Sequence, residues 1–255
     1  MALETQGMKS IRAATWNSFY KYGSLAKKER LRAMIRDSHF YFPCPSQLND
    51  PCDCRNQIHN YSAKEIEEFL IEANRVYYGH SRGDAYIRDG TEKFGAAVLL
   101  GEMATQFNKI MDSRYGVFSL TKRPNNMAMW AKYADDHKGY CLEFADLSTF
   151  ANVFEVTYAA KVPLALTLNI EPGQADFLFT KSADWSNEEE ARILSLSSGI
   201  QQFPPKALSS IILGEHCCTE DVAAVKGWIS ECKPSIRLRR AKFNVANQEL
   251  EYLTI

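Results

Sequence analysis

Residues 115–144 read YGVFSLTKRPNNMAMWAKYADDHKGYCLEF, and the fold class turns on them. Tyr115 to Leu120 has the composition of a strand. Met127, Trp130, Ala131 and Ala134 then recur at helical spacing, with Asn125 or Asn126 as the N-cap. Gly139 stops that helix. Tyr140, Leu142 and Phe144 alternate with Cys141 and Glu143, which is the period of a second strand.

Toward the N-terminus, Phe19 to Tyr22 reads as a short strand and 24–37 as a helix with Leu31, Met34 and Ile35 on one face. His39 to Phe42 is a short aromatic strand that runs into PCPSQLNDP (43–51), a segment dense in turn formers. Ser62 and Glu65 form a capping box ahead of Ile66, Phe69, Leu70 and Ala73. The polar stretch 78–90 predicts a loop and 91–112 a helix. Toward the C-terminus, 154–159, 191–196, 208–213, 236–243 and 249–255 predict strands. One helix interrupts them at 219–232, with Val222, Val225 and Ile229 inward. Strands and helices do not alternate regularly. That pattern favours an α+β fold with a central, largely antiparallel sheet flanked by helices over a doubly wound parallel one. No repeat or Pro/Gly/Ser linker divides the chain. The expectation is one domain over 1–255, with 1–18 as an N-terminal extension and 60–113 as a helical insertion.

Composition removes several classes of function. Of the 255 residues 45% are hydrophobic, enough for a sizeable core. No run approaches the roughly 20 apolar residues that cross a bilayer, so no membrane partner is expected. The polar start of the chain lacks an apolar export core, which predicts a cytoplasmic protein. A net charge of −1 argues against a bulk electrostatic grip on nucleic acid. A local basic run at Arg237, Arg239, Arg240 and Lys242 remains, and its plain reading is a solvated strand face. The seven cysteines are odd in number and lack C-x-x-C pairing. They read as reduced, small buried thiols, and no metal site is expected. Oligomeric state is not legible.

Four clusters could carry chemistry. In the first, Lys21 lies between Tyr20 and Tyr22 on a strand and projects opposite to them. A lysine offers a point charge to phosphate and a tyrosine stacks on a ring; the plain alternative is an ordinary edge strand. In the second, Asn49-Asp50-Pro51 closes a tight turn, where Asn and Asp often only bond nearby backbone N–H groups. In the third, Phe118 and Ser119 end a strand, and Asn126 opens a helix that carries Trp130 and Tyr133 and closes near His137. A Ser/Asn turn opening a helix is a natural seat for an anion, while a histidine at a helix C-terminus can simply suit the dipole. In the fourth, Glu188 and Glu190 share one face of an entering strand, joined by Arg192, beside Trp185. Paired carboxylates serve general acid–base work; a solvated acidic turn is the alternative. No Walker loop, H-E-x-x-H, G-x-S-x-G or dinucleotide glycine fingerprint is present.

Together the clusters resemble a bacterial family, domain of unknown function 2971, across nearly the whole chain from about residue 19. Members look like Y-K-Y-R-S-L, then F-N-D-P-F, C-F-S, N-x-x-M-W-x-x-Y-A-x-x-H-x-G-x-C, and W-x-x-E-x-E-x-R-I. Here Tyr20-Lys21-Tyr22, Asn49-Asp50-Pro51, Phe118-Ser119, Met129-Trp130, Tyr133-Ala134, His137, Gly139, Cys141, Glu188, Glu190 and Arg192 carry the likeness. Gly23, Leu48 and Cys52 depart from it. The motif order also resembles the toxin branch of the ADP-ribosyltransferase-like superfamily, whose first-strand His or Arg is Lys21 here.

That second resemblance implies a split sheet and NAD as substrate. It implies a transferase, a toxin or phage-defence effector, acting on a nucleic-acid or protein acceptor. In that picture Glu190 holds the ribose hydroxyl, Glu188 activates the acceptor and Lys21 meets a pyrophosphate or ribose oxygen. Trp130 or Tyr133 walls the nicotinamide, and Tyr20, Tyr22, Asn49, Asp50, Phe118, Ser119, Asn126, His137 and Arg192 complete the nucleotide site. Two alternatives stay open. One is a non-enzymatic nucleotide- or nucleic-acid-binding module using the basic run. The other is a hydrolase in which the two glutamates act as acid and base.

Overall fold

The computed structural model describes residues 12–55, 58–78, 83–147, 151–165 and 176–255. Its centre is an eight-stranded sheet. In spatial order the strands are β12 (Glu249–Thr254), β11 (Arg237–Asn244), β10 (Leu208–Leu213), β4 (Tyr140–Ala145), β1 (Ser18–Gly23), β3 (Gly116–Thr121), β8 (Glu190–Ser195) and β5 (Phe154–Glu155). Every neighbouring pair is antiparallel except β10 and β11, which run parallel across helix α6 (Thr219–Cys232). Two small ladders sit outside it: β2 (His39–Phe42) with β9 (Gly199–Gln202), antiparallel, and β6 (Thr157–Ala159) with β7 (Thr180–Ser182), parallel. The mixed fold and the mostly antiparallel sheet are as expected from the sequence.

The sheet parts at its centre. β1 pairs with β4 along its whole length, from Ser18 with Ala145 to Gly23 with Tyr140. With β3 it pairs only at Tyr20 and Thr121. The Lys122 N–H donates to the Glu189 carbonyl at 3.2 Å, so strand alternation turns the peptide of Ser119 away from β8 and toward the parted seam. The Val117 N–H, of the same parity, is taken by the Pro43 carbonyl at 2.8 Å. The segment after β2 thus stands where β1 would otherwise run.

Apolar layers cover both faces. Helix α1 (Lys28–Asp37) contributes Leu31, Met34 and Ile35, and α6 contributes Val225 and Ile229. They pack with Phe19 and with Phe40, Phe42, Phe118, Phe144 and Phe203; the rings of these last five meet at centroid distances such as 5.0 Å for Phe42 with Phe118. On the opposite face Trp130 of α5 (Met127–Tyr133) packs with Tyr22, Cys141 and Ile212. The Asn126 side chain accepts from the Met129 N–H at 3.2 Å, the anticipated N-cap. After α5, the reversal puts Asp135, Asp136 and His137 at φ 48°, 50° and 66° in succession. Gly139 is then obligatory, because a Cβ there would lie 2.3 Å from the Gly23 carbonyl oxygen.

Helices α2 (Ala63–Tyr78), α3 (Asp84–Phe94) and α4 (Ala96–Arg114) pack around their own cluster of Ile66, Leu70, Ala96 and Leu100. The capping box forms, with Glu65 accepting from the Ser62 N–H at 2.8 Å. Two expectations fail here. Of the loop expected over 78–90, residues 79–82 lie outside the described residues and the second half is helix α3, held by an Arg75–Asp84 ion pair at 2.6 Å and by Thr91 donating to Glu67 at 2.6 Å. The helix expected over 91–112 is broken at Gly95, whose φ of 84° only glycine adopts freely. The expected strand 154–159 is two, because β5 joins the main sheet while β6 leaves to pair with β7. Of the expected N-terminal extension, 1–11 lies outside the described residues, while Ala14 is buried and its N–H bonds the Val153 carbonyl. Among the described residues no helix is long and apolar enough to cross a membrane.

Candidate functional site

Where β1 leaves β3, a cavity of about 260 Å³ opens. Tyr20, Lys21 and Tyr22 line it from β1, Asn49 from the turn after β2, Ser119 from β3 and Tyr133 from α5. Glu188 and Glu190 line it from the entry to β8. Eight of the fourteen residues singled out from sequence therefore meet at one hollow, although they are spread over most of the chain.

Strand alternation builds its floor. Ala191 and Ile193 of β8 point into the phenylalanine layer, which turns Glu190 and Arg192 the other way. Arg192 is fully buried. It donates to Glu190 from Nε at 2.6 Å, to Asp53 at 2.6 Å and to the Leu178 carbonyl at 2.7 Å. Lys181 of β7 is also buried. Its ammonium donates to Glu188 at 2.7 Å and Glu190 at 3.1 Å, with Asp53 at 3.6 Å. The array continues toward solvent, where Tyr133 donates to Glu188 at 2.6 Å and Asn49 donates to the Tyr133 oxygen at 2.8 Å. Five buried charges alternate in sign, so each has an opposite partner, the condition under which buried ions are tolerated.

These contacts set the protonation states. Burial alone would raise the Glu190 carboxyl. The charge and hydrogen bonds of Arg192, with the charge of Lys181, overturn that and hold it at about 2. Lys181 loses by burial but gains more from Glu190, Asp53 and Glu188, so its pKa rises. Burial and the bond to Glu188 push the Tyr133 phenol up. Lys21 behaves in the opposite way. Its ammonium donates to the Ser119 carbonyl at 2.8 Å and lies 4.3 Å from the Phe118 ring centroid, with no ion pair among the described residues. Burial pulls it down to about 8, against a smaller raising effect of Glu190.

The other six expected residues do not reach the hollow. Trp130 is wholly buried, donates to the Pro124 carbonyl at 2.8 Å and has no free face to wall a ring; its helical spacing marked a core residue. His137 stacks on Trp130 in the reversal. Phe118 belongs to the phenylalanine layer and bears on the cavity only through the Lys21 ammonium that lies over its ring. Asn126 is spent on its cap and on the Asn187 carbonyl. Asp50 accepts from the Cys52 N–H at 2.9 Å, the plain turn reading. Arg192 acts beneath the cavity without lining it. The basic run is divided: Arg239 bonds Glu143 and the Ser210 hydroxyl, Arg240 donates to the Glu215 and Cys217 carbonyls, and Lys242 is exposed. Arg237, also beside Glu143, is largely exposed.

Sequence reasoning missed Asp53 and Lys181. Lys181 stood at the head of the Trp185–Glu188–Glu190–Arg192 cluster, and that spacing was the available signal. Asp53, between two cysteines in a turn, offered none. Among the described residues no group of three or more His, Cys, Asp or Glu is placed to hold a metal ion; the Lys181 ammonium occupies the centre of the one carboxylate cluster. No known protein family, no curated protein and no solved structure matches the chain.

Proposed function

We propose that this chain is an ADP-ribosyltransferase-like enzyme that cleaves NAD at the nicotinamide–ribose bond in the cavity. On this proposal it is of the kind found in toxins and defence effectors, and it belongs with domain of unknown function 2971. The observation that carries the reading is the meeting of Lys21, Tyr133 and the Glu188–Glu190 pair at the parted seam of a sheet. The volume lies just under the roughly 300–1,000 Å³ of whole small-molecule sites. It suits the nicotinamide-ribose end, with the rest of the dinucleotide outside.

Bond cleavage leaves positive charge on the ribose, which a carboxylate on its hydroxyl stabilises. Glu190 is a poor choice for that contact, since Arg192, Lys181 and the Ser119 hydroxyl already take both its oxygens. Glu188 is the better one. Its Oε1 is covered by the Tyr133 phenol, with the Lys132 ammonium farther off at 3.5 Å, and a ribose hydroxyl can replace the phenol at the cavity. Glu190 then fixes Lys181, and Lys181 fixes Glu188. Lys21 meets a ribose or pyrophosphate oxygen. The acceptor is a nucleic acid or a protein.

The test is release of nicotinamide from labelled NAD, with the chain itself, RNA, DNA and mixed proteins as acceptors. Glu188→Gln should lower turnover by about 10²-fold or more in protein that still unfolds cooperatively on heating. Equal turnover in that variant rejects the assignment of Glu188. No release with any acceptor, together with no thermal shift by NAD, rejects the reading.

A further inference from the structure

We propose that Lys21 is an amine nucleophile that captures a small aldehyde in the cavity as an imine. Three other cations surround the hollow, and each faces a carboxylate: Lys181 faces three, Arg192 two, and Lys132 lies 3.5 Å from Glu188. Among the described residues Lys21 faces none within that reach. Its partners are a neutral carbonyl and the face of a ring. The carbonyl can accept from a neutral amine as well as from an ammonium, though less strongly, and loss of the proton strands no anion. The charge of Glu190 is already matched by Arg192 and Lys181. A desolvated lysine on a cavity wall, beside groups able to bond hydroxyls, is how amines become nucleophiles in proteins.

The step balances without any further reagent. The neutral amine attacks the carbonyl carbon and forms a C–N bond, and the carbonyl oxygen takes up the amine proton to give a carbinolamine. Loss of water then leaves the imine. Burial holds Lys21 at about 8, so near that pH roughly half is neutral, against under 1% of an ordinary lysine. The ligand class is a short hydroxyaldehyde, whose hydroxyls meet Asn49, Tyr133 and Glu188 across the hollow. The inference goes beyond the NAD reading and needs only the cavity and the amine. The two fail separately, because nicotinamide release does not enter the test.

The test incubates the full chain with glyceraldehyde and borohydride at pH 8, which reduces any imine to a stable secondary amine, and maps the adducts by peptide mass. Lys21 should be modified on the order of tenfold faster than ordinary lysines, with exposed Lys64 and Lys93 as internal references. Lys21→Arg should remove that adduct and leave the reference adducts in place. The peptide map of the unaltered chain decides the matter even if the variant folds poorly. Lys21 unmodified, or modified no faster than Lys64, overturns the inference.

Discussion

The two faces of β8 make opposite kinds of interior from one six-residue strand. Ala191 and Ile193 enter a layer of phenylalanines; Glu190 and Arg192 enter an ionic layer with Asp53, Lys181 and Glu188. Both layers are buried, but their energetics differ in sign. Covering apolar surface stabilises by about 25 cal/mol per Å². Removing an ion from water costs several kcal/mol, which partners offset only with good geometry. A fold selected for stability alone would do better with a second apolar layer. The ionic face, the one beneath the cavity, is therefore where chemistry belongs.

The sharpest challenge to this contrast is to cut each layer once. Phe118→Ala should cost about 3–5 kcal/mol through lost burial and a residual void. Arg192→Ala should cost about 3–5 kcal/mol for a different reason: Glu190 and Asp53 lose their closest cation and are left to share Lys181 with Glu188. Urea denaturation of both variants reads these losses, and a cost below about 1 kcal/mol for Arg192→Ala would mean that water reaches the ionic layer. The next largest effect separates the mechanisms. Replacing Arg192 with Met and Glu190 with Leu together should cost less than Arg192→Ala, because only Asp53 then loses its closest cation, whereas no paired truncation in the phenylalanine layer should recover stability.

Titration offers a third contrast. Glu190 lies at about 2 in the fold against an ordinary 4.5. Its contribution is whole above pH 4.5 and disappears as pH falls toward 2. Lys21 lies at about 8 against 10.5, so its contribution is whole above pH 10.5 and is lost as pH falls through 8. The deficit of Phe118→Ala should stay flat over the Glu190 window, as measured by urea midpoints across pH, and change only where Lys21, which lies over its ring, titrates. The smallest effect belongs to the rim: Tyr133→Phe removes the hydrogen bond to Glu188 and the one from exposed Asn49, and should cost about 0.5–1.5 kcal/mol.

The same contrast explains what could be read in advance. The phenylalanine layer was legible through strands such as His39–Phe42 and the face of Leu31, Met34 and Ile35, because apolar period reports burial directly. Lys21, Tyr133, Glu188 and Glu190 were legible as polar groups embedded in aromatic motifs. Their roles were not, because Glu190 is saturated by partners that the sequence does not place beside it. Trp130 was misread because a ring on a helical stripe looks the same whether it covers a ligand or a core. Helix α3 escaped because its support is Arg75–Asp84 and Thr91–Glu67, contacts between helices that leave no periodic trace. The short ladders β6–β7 and β2–β9 depend on partners far along the chain, and GIQQ (199–202) has too little apolar pattern to announce a strand.

The turn that follows β2 keeps the central seam from zipping. Pro43 takes the Val117 amide, Gln47 accepts from the Cys44 amide and the Tyr41 hydroxyl, and the Ser46 amide is held by Asp112. A guest therefore has no ladder to break on arrival and little chain to order once inside. Whatever disorder this wall must surrender was surrendered during folding, so affinity depends chiefly on what the guest touches.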